Sequence, residues 1–270
     1  MNTVVTPDAG LIVLCTVLVL ATALVYRLAG LGPISTAPAA AARAVLQLAV
    51  VALVLAAALA HLWSSLLVLA VMFAAAAVTS ARRARAGSSA SWLTLALATG
   101  TLTTLPAMLI SGVVPLTGVA IVPIGGIVLG GAMTATSLSA KAALDTLELR
   151  RGEVEAAMSL GFTDRDARLE IIRPTATTAL LPGVDQTRTV GLVTLPGAFV
   201  GVLLASGSAV QAAAVQILVL VGLLLAQSCA VATTIELVAR GRVHRVADEM
   251  SLGSGVAGDR RPVRRRGFRG

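Results

Sequence analysis

The chain has 270 residues, of which 57% are hydrophobic and 13% are charged, and its formal net charge is +8. An ordinary soluble domain carries about 25% charged residues, so this composition excludes a typical soluble enzyme. Long apolar runs recur at close to the roughly 20 residues that a helix needs to cross a bilayer, and they are too long and uniform for barrel strands. We therefore predict an all-α, polytopic membrane protein.

Seven apolar runs are predicted to form transmembrane helices. In chain order they cover residues 9–29, 39–60, 62–80, 91–111, 113–134, 188–206 and 209–238. All 21 Lys and Arg residues lie in or beside the segments that follow runs one, three, five and seven, and the segments around residues 61, 112 and 207 contain none. The positive-inside rule then places the N-terminus outside and the C-terminus in the cytosol of a multi-pass protein of the plasma (inner) membrane.

The C-terminal residues form a separate basic tail. Residues 251–259 have the composition of a flexible linker, and the sequence RRPVRRRGFRG follows them. We predict a membrane domain at 1–245, with a cytosolic loop at about 135–187, and a disordered cytosolic tail at 246–270. A basic residue near an anionic lipid surface contributes about 1 kcal/mol, so lipid is the predicted partner of the tail and nucleic acid is not expected.

The predicted loop contains a charged segment with clear helix signals. Residues 140–160 place apolar side chains at mostly helical spacing, and Gly161 supplies the left-handed residue that commonly closes a helix. Thr163 is a predicted N-cap with Asp166 three residues later. A second helix at about 164–172 is expected to end before Pro174. Judged on structure alone, the segment is a surface hairpin that links two spans.

The same segment matches a known motif, E-A-A–x3–G–x9–I–x–L–P, of ABC-transporter membrane subunits; Arg173 replaces its Leu. The resemblance implies a coupling helix that docks in a groove of a separate ATPase subunit. The predicted docking residues are Glu155, Ala156, Ala157, Gly161, Phe162, Thr163, Asp164, Arg165, Ile171 and Pro174. Glu155 can pair with this partner or with Arg151 one turn earlier, and the sequence leaves both open.

A more specific resemblance covers most of the chain. Val122–Gly126, Ser159–Gly161 and above all Thr189–Gly197, with the sequence TVGLVTLPG, resemble the FetB-type iron-export ABC permease family, which includes the aluminium-sensitive proteins of plants. The resemblance implies a homodimer of permeases that works with two ATPase subunits and exports iron or another metal. The cargo stays open because the chain departs from the family pattern at Gly131, Ser208, Ala209 and Val215.

Polar and helix-loosening residues inside the runs are candidates for a transport pathway or gate. They are Arg43, Gln47, Met133, Asp185, Arg188, Gly191, Pro196, Gly197 and Gln216. Structural interpretations compete with this one. Arg43 can snorkel to the interface, and Gln47 can hydrogen-bond a neighbouring helix. Asp185 and Arg188 can form an i,i+3 ion pair. The runs hold few metal-ligating side chains, which favours weak coordination or a chelated cargo over a tightly held ion, and no metal site is assigned.

The chain is not expected to be an enzyme or to hold a cofactor of its own. A Walker A loop needs G-x-x-x-x-G-K-[ST], and the one lysine, Lys141, stands in S-A-K-A. ATP and Mg are therefore expected on the partner subunit. His61 and His244 are the two histidines, and neither begins the H-E-x-x-H site of a zinc protease. A secondary transporter and a membrane scaffold for an ATPase remain as alternatives.

Overall fold

The computed structural model describes residues 8–58, 61–84 and 89–245, so the predicted basic tail at 246–270 lies outside the described residues. The helices of this part are α1 (Ala9–Leu28), α2 (Thr36–Ala58), α3 (Leu62–Ala84), α4 (Ala90–Ile110), α5 (Gly118–Leu149), α6 (Arg151–Ser159), α7 (Asp164–Ala176), α8 (Leu181–Thr189), α9 (Gly197–Ser206) and α10 (Ala209–Ala239). A 3₁₀ turn at Thr177–Leu180 joins α7 to α8. Six of these helices, α1 to α5 and α10, are long and apolar enough to cross a membrane. The prediction of an all-α polytopic membrane protein is confirmed.

Helices α1 and α2 belong to one of the chain's two compact units. The side chain of Asp8 caps α1 by accepting a hydrogen bond of 3.0 Å from the amide of Leu11. Ala23 is buried, whereas Leu18, Leu24 and most other apolar side chains of α1 are exposed. Two helices this apolar and this exposed are suited to contact with lipid or with other protein, because a bilayer does not penalise exposed leucines.

The second unit is a bundle in which α5 packs against α3, α4 and α10, and α4 also packs against α10. Its centre is built from small side chains, and its buried members are Ala76, Ala77, Leu97, Val128, Ala132, Ala226 and Ala230. Because lipid tails are as apolar as leucine, helices in a membrane associate through close van der Waals contact, and small residues permit that contact.

The contact between α4 and α10 is closest at Gly100. A β-carbon added at this glycine would lie 2.4 Å from the carbonyl oxygen of Ala226 and 3.1 Å from the β-carbon of Ala230. The two backbones can therefore approach this closely only because position 100 has no side chain. This contact fixes how α10 lies in the bundle.

Helices α5 and α10 are longer than a bilayer requires. They contain 32 and 31 residues, which at 1.5 Å per residue is about 48 and 47 Å against a hydrocarbon core of about 30 Å. The last turns of α5 carry Lys141, Asp145 and Glu148, and α5 continues without a break through the start of the predicted loop at 135. The long helices thus carry the segment that follows α5 away from the apolar part of the bundle.

The prediction that residues 188–206 cross the membrane as one continuous helix is wrong. Helix α8 ends at Thr189, and α9 begins only at Gly197 and has 10 residues, or about 15 Å. Between them, Val190 is extended, Gly191 has a φ of +82°, and Pro196 is extended in front of α9. A left-handed glycine and a proline within seven residues end one helix and start another. The TVGLVTLPG sequence therefore spans a break between two helices, called here the α8–α9 interruption, which comprises residues 190–196.

We expect Gly100→Ala to destabilise the bundle by about 1–3 kcal/mol, because the added methyl group meets backbone rather than a flexible side chain. Gly130→Ala is the matched control, since a β-carbon at position 130 of α5 has open space around it. Thermal unfolding of the two purified variants in the same detergent checks this. Equal melting temperatures for both variants would contradict the close α4–α10 contact.

Candidate functional site: a charged hairpin and a broken helix

Residues 150–176, called here the charged hairpin, form two helices joined by a tight turn. The predicted helix over 140–160 is divided at Arg150, whose φ of −112° and ψ of 29° separate α5 from α6. Gly161 has a φ of +94°, as predicted for the residue that closes a helix. The amide of Gly161 donates to the carbonyl of Met158 at 3.0 Å, and that of Phe162 donates to Ala157 at 3.3 Å. These bonds satisfy carbonyls at the end of α6 and reverse the chain.

The second helix of the charged hairpin begins at its predicted cap. The hydroxyl oxygen of Thr163 accepts a hydrogen bond of 3.2 Å from the amide of Asp166, which confirms Thr163 as the N-cap. The same hydroxyl donates to the carboxylate of Asp166 at 2.7 Å. In the usual capping box the acidic side chain accepts from the cap's backbone amide, so this is a shorter-armed variant that still fixes the start of α7.

The expectation that the second helix ends before Pro174 is wrong. Helix α7 continues through Pro174 to Ala176, and the 3₁₀ turn and α8 follow directly. A proline in a helix removes the hydrogen bond to the carbonyl four residues earlier. That residue is Glu170, which is exposed, while Ile172 and Ala176 on the opposite face are buried in the bundle. Packing of this buried face holds the helix together past the proline.

The turn of the charged hairpin offers an exposed surface with apolar and acidic side chains. Leu160 is 81% exposed and Phe162 is 48% exposed. Glu155, Ala156 and Asp164 are also exposed. Arg151 donates to Glu155 at 3.2 Å, but both side chains are largely in solvent, so this pair contributes little to stability. Exposed apolar anchors surrounded by charge are the usual composition of a protein-docking surface.

Three predicted docking residues, Ala157, Arg165 and Ile171, are partly buried instead. Arg165 keeps 42% of its side chain exposed, but it donates two hydrogen bonds to the carboxylate of Glu236 on α10, at 2.8 and 2.7 Å. Arg165 also donates to Asp166 at 2.7 Å. The hydrogen bonds with Glu236 raise the pKa of Arg165 above its ordinary value. Glu236 also pairs with Arg240, four residues later on the same helix, at 2.6 Å.

Five of the predicted pathway residues lie in or beside the interruption between α8 and α9: Asp185 and Arg188 in α8, Gly191 and Pro196 in the interruption, and Gly197 at the start of α9. The amide of Gly191 donates to the carbonyl of Thr194 at 2.9 Å and closes a small turn, and Leu192 and Val193 are 89% and 79% exposed. The predicted ion pair of Asp185 with Arg188 does not form within the described part of the chain; both side chains are exposed.

The other predicted pathway residues lie elsewhere. Met133 packs against the alanine-rich centre of the bundle, and Gln216 is buried in α10. Arg43 and Gln47 belong to the α1–α2 unit and are exposed, and over the described residues Gln47 makes no interhelical hydrogen bond. Sequence reasoning missed Gln227, whose side chain fills the space beside Gly183: a β-carbon on that glycine would lie 1.9 Å from Oε1 of Gln227. A glutamine and a glycine 44 positions apart give no signal in sequence.

An apolar cavity of about 780 Å³ lies between α5, α9 and α10. Its lining includes the pathway candidate Gly197, together with Pro123, Gly201 and Val215. Thr117 is the one residue of the described lining with a polar side chain. Over the described residues, no three His, Cys, Asp or Glu side chains are grouped closely enough to hold a metal ion.

Comparison with known proteins identifies the family. The model of the family described as "Uncharacterised protein family (UPF0014)" matches residues 10–242, which is most of the chain and includes both the charged hairpin and the TVGLVTLPG block. The chain belongs to the UPF0014 family. No solved structure matches it.

Three similar proteins carry names that bear on function. The UPF0014 membrane protein STAR2 of Oryza sativa subsp. japonica is 34% identical over 182 residues, 66% of this chain and 64% of that protein. Protein ALUMINUM SENSITIVE 3 of Arabidopsis thaliana is 33% identical over 181 residues, 66% of each chain. The probable iron export permease protein FetB of Escherichia coli (strain K12) is 33% identical over 125 residues, 46% of this chain and 48% of that protein. The chain thus spans just under two thirds of the two plant relatives, and the resemblance found in the sequence is confirmed.

We expect Thr163→Ala to loosen the start of α7 by about 1 kcal/mol, because the amide of Asp166 loses its acceptor. Hydrogen exchange at residues 164–167 should become faster, whereas Thr163→Ser, which keeps the hydroxyl, should leave exchange unchanged. Equal exchange in the Ala and Ser variants would show that the cap does not hold this helix end.

Proposed function

We propose that this UPF0014 protein is the permease subunit of an ABC transporter that exports iron or another metal, driven by a separate ATPase subunit bound to the charged hairpin. The observation that carries the proposal is the exposed, glycine-closed turn of that hairpin, on which the coupling motif lies. The iron-export name of the Escherichia coli relative supports the direction and class of cargo.

The docking step follows from what the turn exposes. Leu160 and Phe162 are apolar anchors that lose contact with water when a partner covers them. Glu155 and Asp164 beside them set the orientation of a partner that carries basic residues around an apolar groove. The left-handed conformation of Gly161 makes the turn sharp enough to enter such a groove, and a β-carbon there would disfavour it.

The ATP chemistry belongs to the partner in this proposal. Lys141 is the one lysine of the chain, and it lies in the last turns of α5 rather than in a glycine-rich loop. The permease therefore binds the motor, and ATP with Mg is held and hydrolysed on the ATPase subunit. The same proposal includes the orientation given by the basic residues, with the N-terminus outside and the charged hairpin and C-terminus in the cytosol. It also includes a basic tail that contacts anionic lipid.

The cargo path is assigned to the α8–α9 interruption. Backbone that is not helical can lie at membrane depth only where protein covers it or where it lines a water-filled cavity. Gly191–Leu195 is not helical and is exposed, so it needs one of these environments. A second permease copy facing this segment, as in a homodimer, would provide both a cover and a path between the copies. The apolar lining of the adjacent cavity suits a chelated or transiently coordinated metal better than a bare ion.

Co-purification of the ATPase tests the docking step. The permease is tagged in its native host, extracted in mild detergent, and its bound proteins are quantified by mass spectrometry. Gly161→Val forces a β-branched residue into a left-handed conformation, and we expect it to reduce the bound ATPase about tenfold, the equivalent of 1.4 kcal/mol.

Gly152→Val is the matched control for that experiment. It adds the same side chain to the same hairpin, but position 152 is helical and has open space around it. It should keep the ATPase. Absence of any ATPase from the wild-type preparation would overturn the proposal and favour a secondary transporter, while equal loss in both variants would show that the turn has no special role.

Transport itself tests the assignment of the path. Gly191→Ala strains the turn between α8 and α9, because alanine disfavours a φ of +82° by roughly 1–2 kcal/mol. We expect slower efflux of ⁵⁵Fe from cells that carry this variant, with the ATPase still bound. Gly130→Ala, in the helical part of α5 where a β-carbon has open space and outside the lining of the apolar cavity, is the control. An efflux rate equal to that of the wild type in cells that carry Gly191→Ala would show that the turn is not part of the path.

A further inference from the structure

Arg165 is the strongest polar link between the charged hairpin and the bundle. Its guanidinium donates through Nε and Nη2 to the two carboxylate oxygens of Glu236, at 2.8 and 2.7 Å, and through Nη1 to Asp166, at 2.7 Å. A bidentate pair of this kind fixes both distance and angle between its two helices, which a single contact does not. Helix α7 therefore has a defined attachment to the last turn of α10.

The attachment continues on both sides into the hairpin and into α10. Asp166 is held by the N-cap Thr163, and Glu236 also accepts from Arg240 at 2.6 Å. An unbroken chain of hydrogen bonds thus joins the cap of α7 to the last turn of α10. Arg168, one turn along α7, lies beside Gly241, which follows α10, and its guanidinium pairs with Asp164 of α7 at 3.0 Å.

Apolar packing runs beside these polar contacts. Ile172 of α7 is fully buried in one cluster with Leu144 of α5 and with Leu237 and Val238 of α10. If α7 is displaced, α10 and α5 must therefore move with it. Movement of α7 is not transmitted to α9 in the same way. The non-helical residues 190–196 separate α8 from α9, so the two helices do not move as one rigid element.

We propose that Arg165 is a positioning residue that transmits movement of the charged hairpin to α10 through its bidentate pair with Glu236. This inference rests on the proposed function, since it needs a motor that displaces the hairpin. It also reassigns Arg165, which the coupling motif had placed among the residues that face the ATPase. Arg240 also donates to Glu236, so the acceptor carboxylate is held in place on α10 as well.

The test separates docking from transmission in the complex of permease and ATPase, reconstituted in liposomes with ⁵⁵Fe as the probe. For each variant, the ATPase bound per permease, the rate of ATP hydrolysis and the iron moved per ATP are measured. Glu236→Gln removes the charge of the acceptor on α10. We expect normal ATPase binding and hydrolysis, with iron moved per ATP about fivefold lower, within the range for residues that couple two sites.

The double variant tests whether Arg165 and Glu236 act through one link. Arg165→Gln alone should lower iron moved per ATP to the same degree as Glu236→Gln. If both act through one link, Arg165→Gln/Glu236→Gln should be no worse than either single variant. Arg173→Gln is the matched control, since Arg173 is exposed on the same helix and forms no ion pair with any described residue.

Each other outcome overturns a definite part of the account. Unchanged iron per ATP in Glu236→Gln, or losses that multiply in the double variant, would show that the pair does not transmit movement. Loss of bound ATPase in Arg165→Gln would show that Arg165 belongs to the docking surface, as the coupling motif predicts. Absence of ATPase from the wild-type complex would instead overturn the proposed function itself, independently of the role of the Arg165–Glu236 pair.

Discussion

The structure depends on one constraint: a backbone amide or carbonyl in hydrocarbon has no water to bond and must find its partner within the protein. This constraint makes the chain helical wherever it is apolar. It also makes the non-helical residues 190–196 informative, because exposed backbone within an apolar run needs a neighbour or a hydrated path. The close contact at Gly100 and the alanine-rich centre hold α3, α4, α5 and α10 together.

Much of the fold follows from the sequence because its causes are local. The apolar runs gave α1 to α4 and α10 nearly at their observed ends, and Gly161 and Thr163 marked the turn of the charged hairpin, since a left-handed glycine and an N-cap act within one helical turn. The same local reasoning failed at residues 188–206. Hydropathy treated that run as a span, although Gly191 and Pro196 within it were sufficient to divide it.

What the sequence did not predict is set by contacts between residues far apart in the chain. Pro174 was expected to end a helix, but packing of Ile172 and Ala176 in the bundle overrides the local preference. Arg165 was assigned to a partner surface because it is a charged residue within the coupling motif, yet its guanidinium is bound to Glu236, 71 positions later. Such pairs become visible only when the helices are in place, and they decide which residues face a partner and which face the bundle.

Photo-crosslinking from position 162 is the most direct test that the charged hairpin is the docking site of a motor. A photoreactive amino acid replaces Phe162, which is exposed at the turn, and cells are irradiated with their membranes intact. A second permease carries the same group at Leu116, an exposed position between α4 and α5. The account predicts that an ATPase with a Walker A loop is captured from position 162 and not from position 116. Capture of no ATPase from position 162, or equal capture from both, would contradict it.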